Sequence, residues 1–283
     1  MFEPTSDKQE VFNGLPCRRL TLSNGDSLTV VLQGAQLVSW VSGGRERLYL
    51  SPASVFDGQT PIRGGVPVCF PQFNQRGPLP KHGFVRNMAW RVDEVPSQGK
   101  QEAQLTLRLS ASEATRALWP ASFELALLLH LQPGQLQITL ALSNTGSESL
   151  AFTGALHSYL AVSDIAAVQL TGLQDQSEWN AVTDVHGAAT SSLRFNGEFD
   201  RVYSAAPHAL VLQDALGALS IEQSSSFANT VVWNPGAEKG ATLADMPTQG
   251  YKTMLCVEAA QVMQPVVVQA GGEWLGWQRL SVL

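Results

Sequence analysis

The sequence lacks the residue patterns that mark metal, redox and nucleotide-binding proteins. It has only three cysteines, Cys17, Cys69 and Cys256, which form neither a CxxC pair nor a spacing typical of metal ligands. An odd number of scattered cysteines is typical of free, buried thiols in a reducing cytoplasm. The sequence also contains no GxGxxG or P-loop motif for a nucleotide. We therefore expect a cytoplasmic protein that uses no metal and no cofactor.

Long apolar runs and a basic overall charge are also missing. No segment approaches the roughly 18 consecutive apolar residues that span a bilayer. The N-terminal segment MFEPTSDKQE is polar, unlike a secretory signal. The chain carries 24 acidic and 18 basic residues, a net charge of −6, which argues against a nucleic-acid-binding surface. These absences exclude membrane and nucleic-acid partners and favour a small-molecule ligand.

Helical patterns are scarce, and apolar residues alternate with polar ones over much of the chain. The alternation is clearest in residues 105–110 and 135–142, and a period of two is typical of strands with one solvated face. Further strands are predicted at residues 19–23, 27–32, 36–40, 89–94, 123–131, 150–156, 209–213, 220–223, 230–234, 252–259 and 266–270. One short helix is predicted at residues 112–118, where Ser112 can cap the start and Pro120 ends it.

The spacing of these strands predicts the fold class. Many short strands joined by turns rich in glycine, proline and asparagine favour an all-β sandwich or barrel. The sequence shows no internal repeat and no low-complexity linker. Residues 1–283 are therefore predicted to form one large all-β domain with few short helices, and we expect a monomer.

The segment 61–92 differs in charge from the rest of the chain. It contains no Asp or Glu, although the whole chain is acidic. Its basic residues and histidine are Arg63, Arg76, Lys81, His82, Arg86 and Arg91. The segment is also rich in glycine and proline, which predicts an ordered loop. A local basic loop in an acidic protein indicates a site for a small anion, with phosphate as the leading candidate.

His157 and Glu258 are candidates for acid/base chemistry. His157 follows a strand-like run in FTGALHSYL, where it is either a structural residue or a proton donor. Glu258 lies in the apolar run MLCVEAA, where a carboxylate is costly unless it is paired. It is either an outward-facing strand residue or a general base in a desolvated site. An apolar face shared with Met254 and Cys256 would favour the general base.

Three further features have two interpretations each. Asp200 in EFDRVY belongs either to a surface ion pair or to a hydrogen bond with a sugar hydroxyl. Trp233 in VVWNPG is either a core residue or a stacking face for a sugar. The pair Gly64-Gly65 forms either a simple turn or a backbone that closely approaches an anion.

Several segments together resemble the aldose 1-epimerase superfamily, and more narrowly its glucose-6-phosphate 1-epimerase branch. They are IRGGVPVCFPQF, LPKHGFVRNMAW, ATRALWPASFELAL, ALHSYLAVSDI, EFDRVY, VVWNPG and DMPTQGYKTMLCVEAA. They occur in the family's order and span most of the chain. The resemblance implies a large β-sandwich of the galactose-mutarotase type. It also implies an isomerase that interconverts the α and β anomers of a hexose 6-phosphate without a cofactor.

The resemblance also implies roles for individual residues. Glu258 matches the family's base and His157 its acid. The implied substrate contacts fall on Arg63, Lys81, His82, Arg86 and Asp200. Some relatives have an uncharged residue at the position of Lys81, so this lysine either strengthens a phosphate site or points to solvent. His82 is better suited to contact sugar hydroxyls than to act as a second acid.

Three other functions use the same residues. A glycoside hydrolase would employ Glu258 and Asp200 as its carboxylate pair. A mutarotase for free aldoses would leave the charges of Arg63, Lys81 and Arg86 with nothing to neutralise. A non-catalytic sugar-phosphate-binding or regulatory protein would need neither an acid nor a base. The presence of both His157 and Glu258 therefore favours catalysis.

Overall fold

Strands dominate the structure, as the sequence predicts. The computed structural model describes residues 10–93, 97–189, 193–215 and 217–283. The strands in chain order are β1 (Val11–Phe12), β2 (Leu15–Thr21), β3 (Ser27–Val31), β4 (Gln36–Ser42), β5 (Arg45–Glu46), β6 (Val68–Cys69), β7 (Arg91–Val92), β8 (Ser97–Gln98), β9 (Ala103–Ser110), β10 (Phe123–Gln132), β11 (Gln135–Asn144), β12 (Leu150–Leu156), β13 (Tyr159–Ala161), β14 (Gln169–Thr171), β15 (Ser177–Asn180), β16 (Val185–Ala188), β17 (Phe199–Ser204), β18 (Leu210–Asp214), β19 (Gly217–Gln223), β20 (Asn229–Asn234), β21 (Met254–Val268) and β22 (Glu273–Val282).

The helices are short and lie between strands. The α-helices are α1 (Glu113–Leu118) and α2 (Gly236–Gly240), and single 3-10 turns occupy Val85–Asn87, Ile165–Ala167 and Gly250–Thr253. Helix α1 begins after Ser112, whose side chain accepts a hydrogen bond from the backbone N–H of Thr115. In turn, the side-chain oxygen of Thr115 accepts a hydrogen bond from the backbone N–H of Ser112. This capping box confirms the predicted helix. In the described residues, no helix is long and apolar enough to cross a membrane.

The described strands form three antiparallel sheets. A five-stranded sheet has the order β1-β2-β3-β4-β5. A nine-stranded sheet has the order β14-β18-β19-β22-β11-β10-β9-β7, with β8 paired to β9. An eight-stranded sheet has the order β16-β15-β17-β20-β21-β12-β6, with β13 paired to β21. Strand β21 therefore lies near the centre of its sheet, between β20 and β12.

The main core lies between the nine-stranded and eight-stranded sheets. Alternate residues of β10 and of β21 point into one apolar cluster, to which the five-stranded sheet adds Leu28 and Trp40. The residues from the two larger sheets include Leu125, Leu127, Leu129, Leu255, Val257 and Ala259. Two large sheets that pack through such faces make a β-sandwich, which agrees with the predicted fold class.

The opposite face of β21 carries Glu258, one of the candidate site residues. Because side chains alternate along a strand, Met254, Cys256 and Glu258 point away from the main core. They are nevertheless fully buried. Smaller apolar clusters cover this face, one containing Met254 and Cys256 and one containing Ala260 of the same strand. Glu258 therefore lies on a second buried face rather than on the protein surface.

Most predicted strands are present with boundaries that differ by a few residues, whereas β13 to β17 and the short strands β1, β5, β6 and β8 were not predicted. The predicted strands 252–259 and 266–270 are one continuous strand, β21, whose pairing with β12 shifts register after Phe152. Strand β22 was missed because its buried face includes Gly276 and Gln278, which break the apolar pattern. The predicted strand 89–94 contains only the short β7, and residue 94 lies outside the described residues.

Candidate active site

Glu258 is a buried carboxyl group without a conventional partner. Its side chain is 0% exposed, and neither carboxylate oxygen has a hydrogen bond from any described residue. Strand pairing places it beside Val231 of β20, so the strand geometry fixes its position. A buried charge without hydrogen bonds is costly, and functional sites are where such costs tend to be retained.

His157 lies next to Glu258. It follows the last residue of β12, and its backbone N–H donates to the carbonyl of Pro67 at 3.0 Å. Its Nδ1 lies 3.3 Å from Oε1 of Glu258. The imidazole stacks on the ring of Tyr159 with centroids 4.7 Å apart, and it meets His82 edge-to-face at 5.3 Å. Ring contacts on two sides therefore hold the imidazole against the carboxyl group.

The surroundings of this pair favour its uncharged forms. Burial, followed by the charge of Asp200, raises the pKa of Glu258 well above its ordinary value. Burial, followed by His82, Arg63 and Arg86, lowers the pKa of His157 well below its ordinary value. Both shifts therefore disfavour the charged forms of the pair. A carboxyl and an imidazole that lie 3.3 Å apart can supply both a base and an acid.

His157 and Glu258 open onto a cavity. Basic side chains of the acid-free segment surround it and an adjoining cavity, as the sequence predicts. Lys81 lies at the rim, where burial and then Arg63, Lys239 and Arg86 lower its pKa. Arg86 donates from one terminal nitrogen to the carbonyl of Lys81 at 2.7 Å, and its buried Nε has no hydrogen-bond partner among the described residues. The positive charges that lower the pKa of Lys81 lie close to it, and such a cluster of cations favours an anionic ligand.

Arg63 has a partner that its own segment does not contain. Its Nε lies 3.1 Å from both carboxylate oxygens of Asp245, which is 182 residues away in the chain. Its Nη1 donates to the hydroxyl of Tyr159 at 3.1 Å. The lack of nearby acids in sequence therefore does not leave Arg63 unpaired, whereas the neighbouring Lys81 and Arg86 are the less neutralised cations.

His82 is held by its backbone and by its ring nitrogen. Its φ of +65° lies in the left-handed region that non-glycine residues rarely adopt. Its Nδ1 accepts a hydrogen bond from the backbone N–H of Asn74 at 3.3 Å. Burial, followed by Arg86, Lys81 and Arg63, lowers the pKa of His82 to about 3. The ring is therefore neutral at physiological pH, with its proton on Nε2, and is suited to donate a hydrogen bond rather than to act as an acid.

The remaining predicted contact, Asp200, lines the same cavity from β17. Burial raises its pKa, and Lys239 opposes this effect more strongly than any other charged group. Trp233 of β20 also lines the cavity and meets His157 edge-to-face at 6.2 Å. A carboxyl beside an indole is able to hold a sugar, since the carboxyl accepts hydrogen bonds from hydroxyl groups and the ring covers an apolar face.

Two adjoining cavities bring all seven predicted site residues together. One of about 110 Å³ is lined by Asp200, Trp233 and Glu258 among others. The other, of about 150 Å³, is lined by Arg86 and Asp245 among others. The two cavities share Arg63, Lys81, His82 and His157. The first therefore carries the carboxyl groups and the second carries much of the basic charge, with His157 at their junction.

Sequence reasoning missed several residues of this site. They are Asn74, Tyr159, Lys239 and Asp245, all of which line one of the two cavities. Asp245 lies within DMPTQGYK, a segment that carries the family resemblance, but its partner is distant in sequence. Lys239 belongs to α2 and pairs with Glu198, and no local pattern distinguishes it from a surface lysine.

The glycine pair at positions 64 and 65 has a packing role. A Cβ atom on Gly64 would lie 2.4 Å from the carbonyl oxygen of Tyr49, and one on Gly65 would lie 2.0 Å from that of Leu37. The N–H of Gly65 donates to the carbonyl of Tyr49 at 2.7 Å. The N–H of Gly65 is therefore not available to an anion, since a backbone carbonyl already uses it.

Comparisons with known proteins find related sequences. The family model described as aldose 1-epimerase matches residues 18–281. A protein of Cenchrus ciliaris named "putative glucose-6-phosphate 1-epimerase" is 34% identical over 265 residues, covering 90% of this chain and 80% of the relative. A protein of Escherichia coli with the same name is 38% identical over 241 residues, covering 81% and 78% of the two chains.

Solved structures show the same fold. The crystal structure of a "putative mutarotase" from Salmonella typhimurium has a TM-score of 0.83 at 33% identity, and covers 97% of this chain and 95% of that chain. A "galactose mutarotase related enzyme" from Lactobacillus acidophilus has a TM-score of 0.75 at 13% identity, with 94% and 97% covered. The second likeness concerns the fold alone, because the sequences have diverged.

Proposed function

Because the chain belongs to the aldose 1-epimerase family, a family of isomerases, we propose that it interconverts the α and β anomers of a hexose 6-phosphate, with glucose 6-phosphate as the first candidate. One observation carries the proposal. A buried carboxyl, Glu258, lies 3.3 Å from the imidazole of His157 in a cavity that is also lined by basic side chains. The names of the relatives from Cenchrus ciliaris and Escherichia coli point to the same substrate.

The proposed chemistry needs one base and one acid. The Glu258 carboxylate removes the proton of the C1 hydroxyl, the C1–O1 bond becomes a carbonyl, and the bond between C1 and the ring oxygen breaks. His157 donates a proton to the ring oxygen, which keeps the electron pair of that bond. The aldehyde then rotates about the C1–C2 bond, and the reverse transfers close the ring on the other face. Each positioned group contributes about 10²–10⁴-fold.

Phosphate binding would help to place the proton on His157. Arg63 and Arg86 are among the groups that lower the pKa of His157. A phosphate dianion bound beside them offsets their charge, so the pKa of His157 rises when the substrate is present. In this proposal Lys81 and Arg86 contact the phosphate, and Arg63 stands beside it in its pair with Asp245.

The other residues of the cavity bind the sugar ring and its hydroxyl groups. Asp200 accepts hydrogen bonds from hydroxyl groups, and His82 donates one from Nε2. Trp233 provides a face for the sugar ring. These assignments rest on the position of each residue around the two cavities and on the donor and acceptor capacity of each side chain.

Anomeric exchange measured by NMR tests the proposal. The purified protein is added to equilibrated glucose 6-phosphate, one anomeric proton is inverted, and magnetisation transfer to the other anomer is followed. Glucose and the Glu258→Gln variant serve as controls. We expect fast exchange for the phosphate, slower exchange for glucose, and loss of about 10²-fold or more in the variant. Exchange at the buffer rate for both sugars would refute the catalytic proposal and favour a sugar-phosphate-binding protein.

A further inference from the structure

A third reactive group lies beside the proposed catalytic pair, and the proposed mechanism does not use it. Cys256 precedes Glu258 by two positions on β21, so both side chains point to the same face of the sheet. Its thiol is fully buried and free. One ligand atom from each of His157, Cys256 and Glu258 lies within 4.8 Å of the other two. The mechanism above needs only the imidazole and the carboxyl.

These three donors match the ligands that zinc prefers. Zinc binds thiolate, imidazole and carboxylate, and many zinc sites in enzymes have three protein ligands and one open position. A tetrahedral zinc places its ligand atoms roughly 3.3–3.7 Å apart. His157 Nδ1 and Glu258 Oε1 already lie 3.3 Å apart, so the imidazole and the carboxylate need little movement to share an ion.

The lone pairs of the site are also available. His157 Nδ1 and both oxygens of Glu258 are buried and have no hydrogen-bond partner in the part of the chain that the structure describes. His157 and Glu258 line the first cavity, which provides a path from solvent to two of the three donors, and Cys256 lies behind them. The basic residues around the cavity oppose a cation, so two anionic ligands are needed to offset its charge.

We propose that His157, Cys256 and Glu258 bind one zinc ion, and that the bound ion inhibits the enzyme. The inhibitory part rests on the proposed function, since zinc would occupy the atoms that transfer the protons. The sugar C1 hydroxyl and zinc need the same carboxylate, so inhibition is competitive with the sugar phosphate. Binding displaces the thiol proton of Cys256 into solvent, so zinc affinity increases with pH.

The test begins with a measurement that does not depend on turnover. Cobalt(II) is titrated into the purified protein, and the near-ultraviolet charge-transfer absorption of a cobalt–thiolate bond is recorded. Zinc is then added to displace the cobalt, and calorimetry gives the zinc stoichiometry. We expect one ion per chain and a thiolate band that is absent from Cys256→Ala.

The matched control is Cys17→Ala. Cys17 is also a buried free thiol, but it lies in a separate apolar cluster with Leu15 and Val31. We expect Cys17→Ala to behave as the parent protein. In Cys256→Ala, zinc inhibition of anomeric exchange should weaken by roughly 10-fold or more, since even groups outside the ligand shell are worth 10–100-fold in metal affinity. Exchange without zinc should be unchanged, and Cys256→Ser replaces this variant if it does not fold.

The outcomes separate the two proposals. A cobalt–thiolate band in a protein without anomeric exchange would retain the metal site and refute the catalytic function. Exchange with no metal binding, or with zinc inhibition that persists in Cys256→Ala, would overturn the zinc proposal and leave the mutarotase intact. Zinc binding at Cys256 without any inhibition would overturn the inhibitory role.

Discussion

Arg63 and Arg86 belong to one acid-free segment, but their surroundings differ. Arg63 is paired with Asp245 at 3.1 Å. Arg86 bonds the carbonyl of Lys81, and its buried Nε has no hydrogen-bond partner among the described residues. Sequence reasoning treats the two arginines alike as phosphate ligands. The structure makes Arg86 the cleaner test, because removal of Arg63 also leaves the Asp245 carboxylate unpaired beside the proposed phosphate site.

We predict that Arg86→Ala raises the KM for glucose 6-phosphate and leaves the KM for glucose nearly unchanged. A hydrogen bond to a charged group contributes about 1.5–3 kcal/mol, which corresponds to roughly 10- to 150-fold in KM. Steady-state kinetics with both sugars measure the effect. Arg76→Ala is the matched control, since Arg76 belongs to the same segment but stacks on Trp179 at 4.5 Å. Equal small effects on both sugars would remove Arg86 from the phosphate site.

The unpartnered carboxyl of Glu258 should cost stability. Its pKa is raised in the folded protein, so the folded state retains a proton that the unfolded state releases. The contribution of Glu258 to the free energy of unfolding is therefore most favourable below the ordinary glutamate pKa of about 4.3. This contribution decreases as pH rises towards the raised folded-state pKa. A residue that is unfavourable for folding and positioned for proton transfer is expected of a catalytic group.

We predict that Glu258→Gln increases the free energy of unfolding near pH 7 and that the gain shrinks as pH falls towards 4. The variant removes an ionisable group whose burial costs roughly 1–3 kcal/mol. Urea unfolding of both proteins at several pH values measures the difference. Glu222→Gln is a suitable control, because Glu222 is partly exposed and pairs with Arg279. A pH-independent loss of stability in Glu258→Gln would contradict the prediction.

At the scale of elements, one buried side chain connects the two large sheets at the site. Gln278 of β22 is fully buried. Its amide nitrogen donates to the carbonyl of Val257 at 2.9 Å, and its oxygen accepts from the hydroxyl of Ser158. Ser158 and Val257 are the neighbours of His157 and Glu258, respectively. A strand of the nine-stranded sheet thus helps to position both members of the proposed catalytic pair.

We predict that Gln278→Leu lowers kcat with little change in KM and also lowers stability by about 1–3 kcal/mol, since it leaves two buried polar groups unpaired. Anomeric exchange at several substrate concentrations separates the two kinetic constants, and thermal unfolding reports the stability. Gln137→Leu is the control, because Gln137 lies on β11 and bonds Arg279. A loss of stability with unchanged kcat would limit Gln278 to a structural role.

In segment 81–83, an unusual backbone conformation places His82 at the two cavities. His82 has a left-handed φ, and a Cβ atom on the adjacent Gly83 would lie 2.0 Å from the carbonyl oxygen of Phe70. The chain therefore passes against the strand-end segment at Phe70 in a conformation that only glycine allows at position 83. This close passage places Lys81 and His82 at the cavities.

At the scale of the whole molecule, the three sheets share one core. Residues of the five-stranded sheet join the apolar cluster formed by the two larger sheets. A chain of this length can divide into two domains, but a shared core couples the unfolding of all its parts. The expectation of one domain over residues 1–283 therefore becomes a thermodynamic prediction.

We predict a single cooperative unfolding transition for the chain. Because the sheets bury their apolar faces against one another, each of them loses its part of the main core when another unfolds. Differential scanning calorimetry tests this, with agreement between the calorimetric and van't Hoff enthalpies as the criterion. Two resolved transitions would show that the five-stranded sheet, or another part of the chain, folds as a separate unit.

The sequence by itself determined the fold class, and it predicted the kind of ligand. Period-two alternation indicates that a segment is a strand and shows which of its faces is buried. An acid-free basic loop in an acidic chain predicts a local anion site. The buried-looking run around Glu258 similarly revealed an unusual carboxylate. These signals are local, since each depends on residues a few positions apart.

Only the tertiary structure decided which of these residues meet. Antiparallel pairing of β12 with β21 puts Leu156 opposite Ala259, and this register brings His157 to Glu258. The partner of Arg63 is Asp245, 182 residues away, and the thiol beside the pair comes from the second buried face of β21. Periodicity identifies a face but not the neighbour across it, because the neighbour is set by sheet order, and sheet order depends on how the whole chain packs.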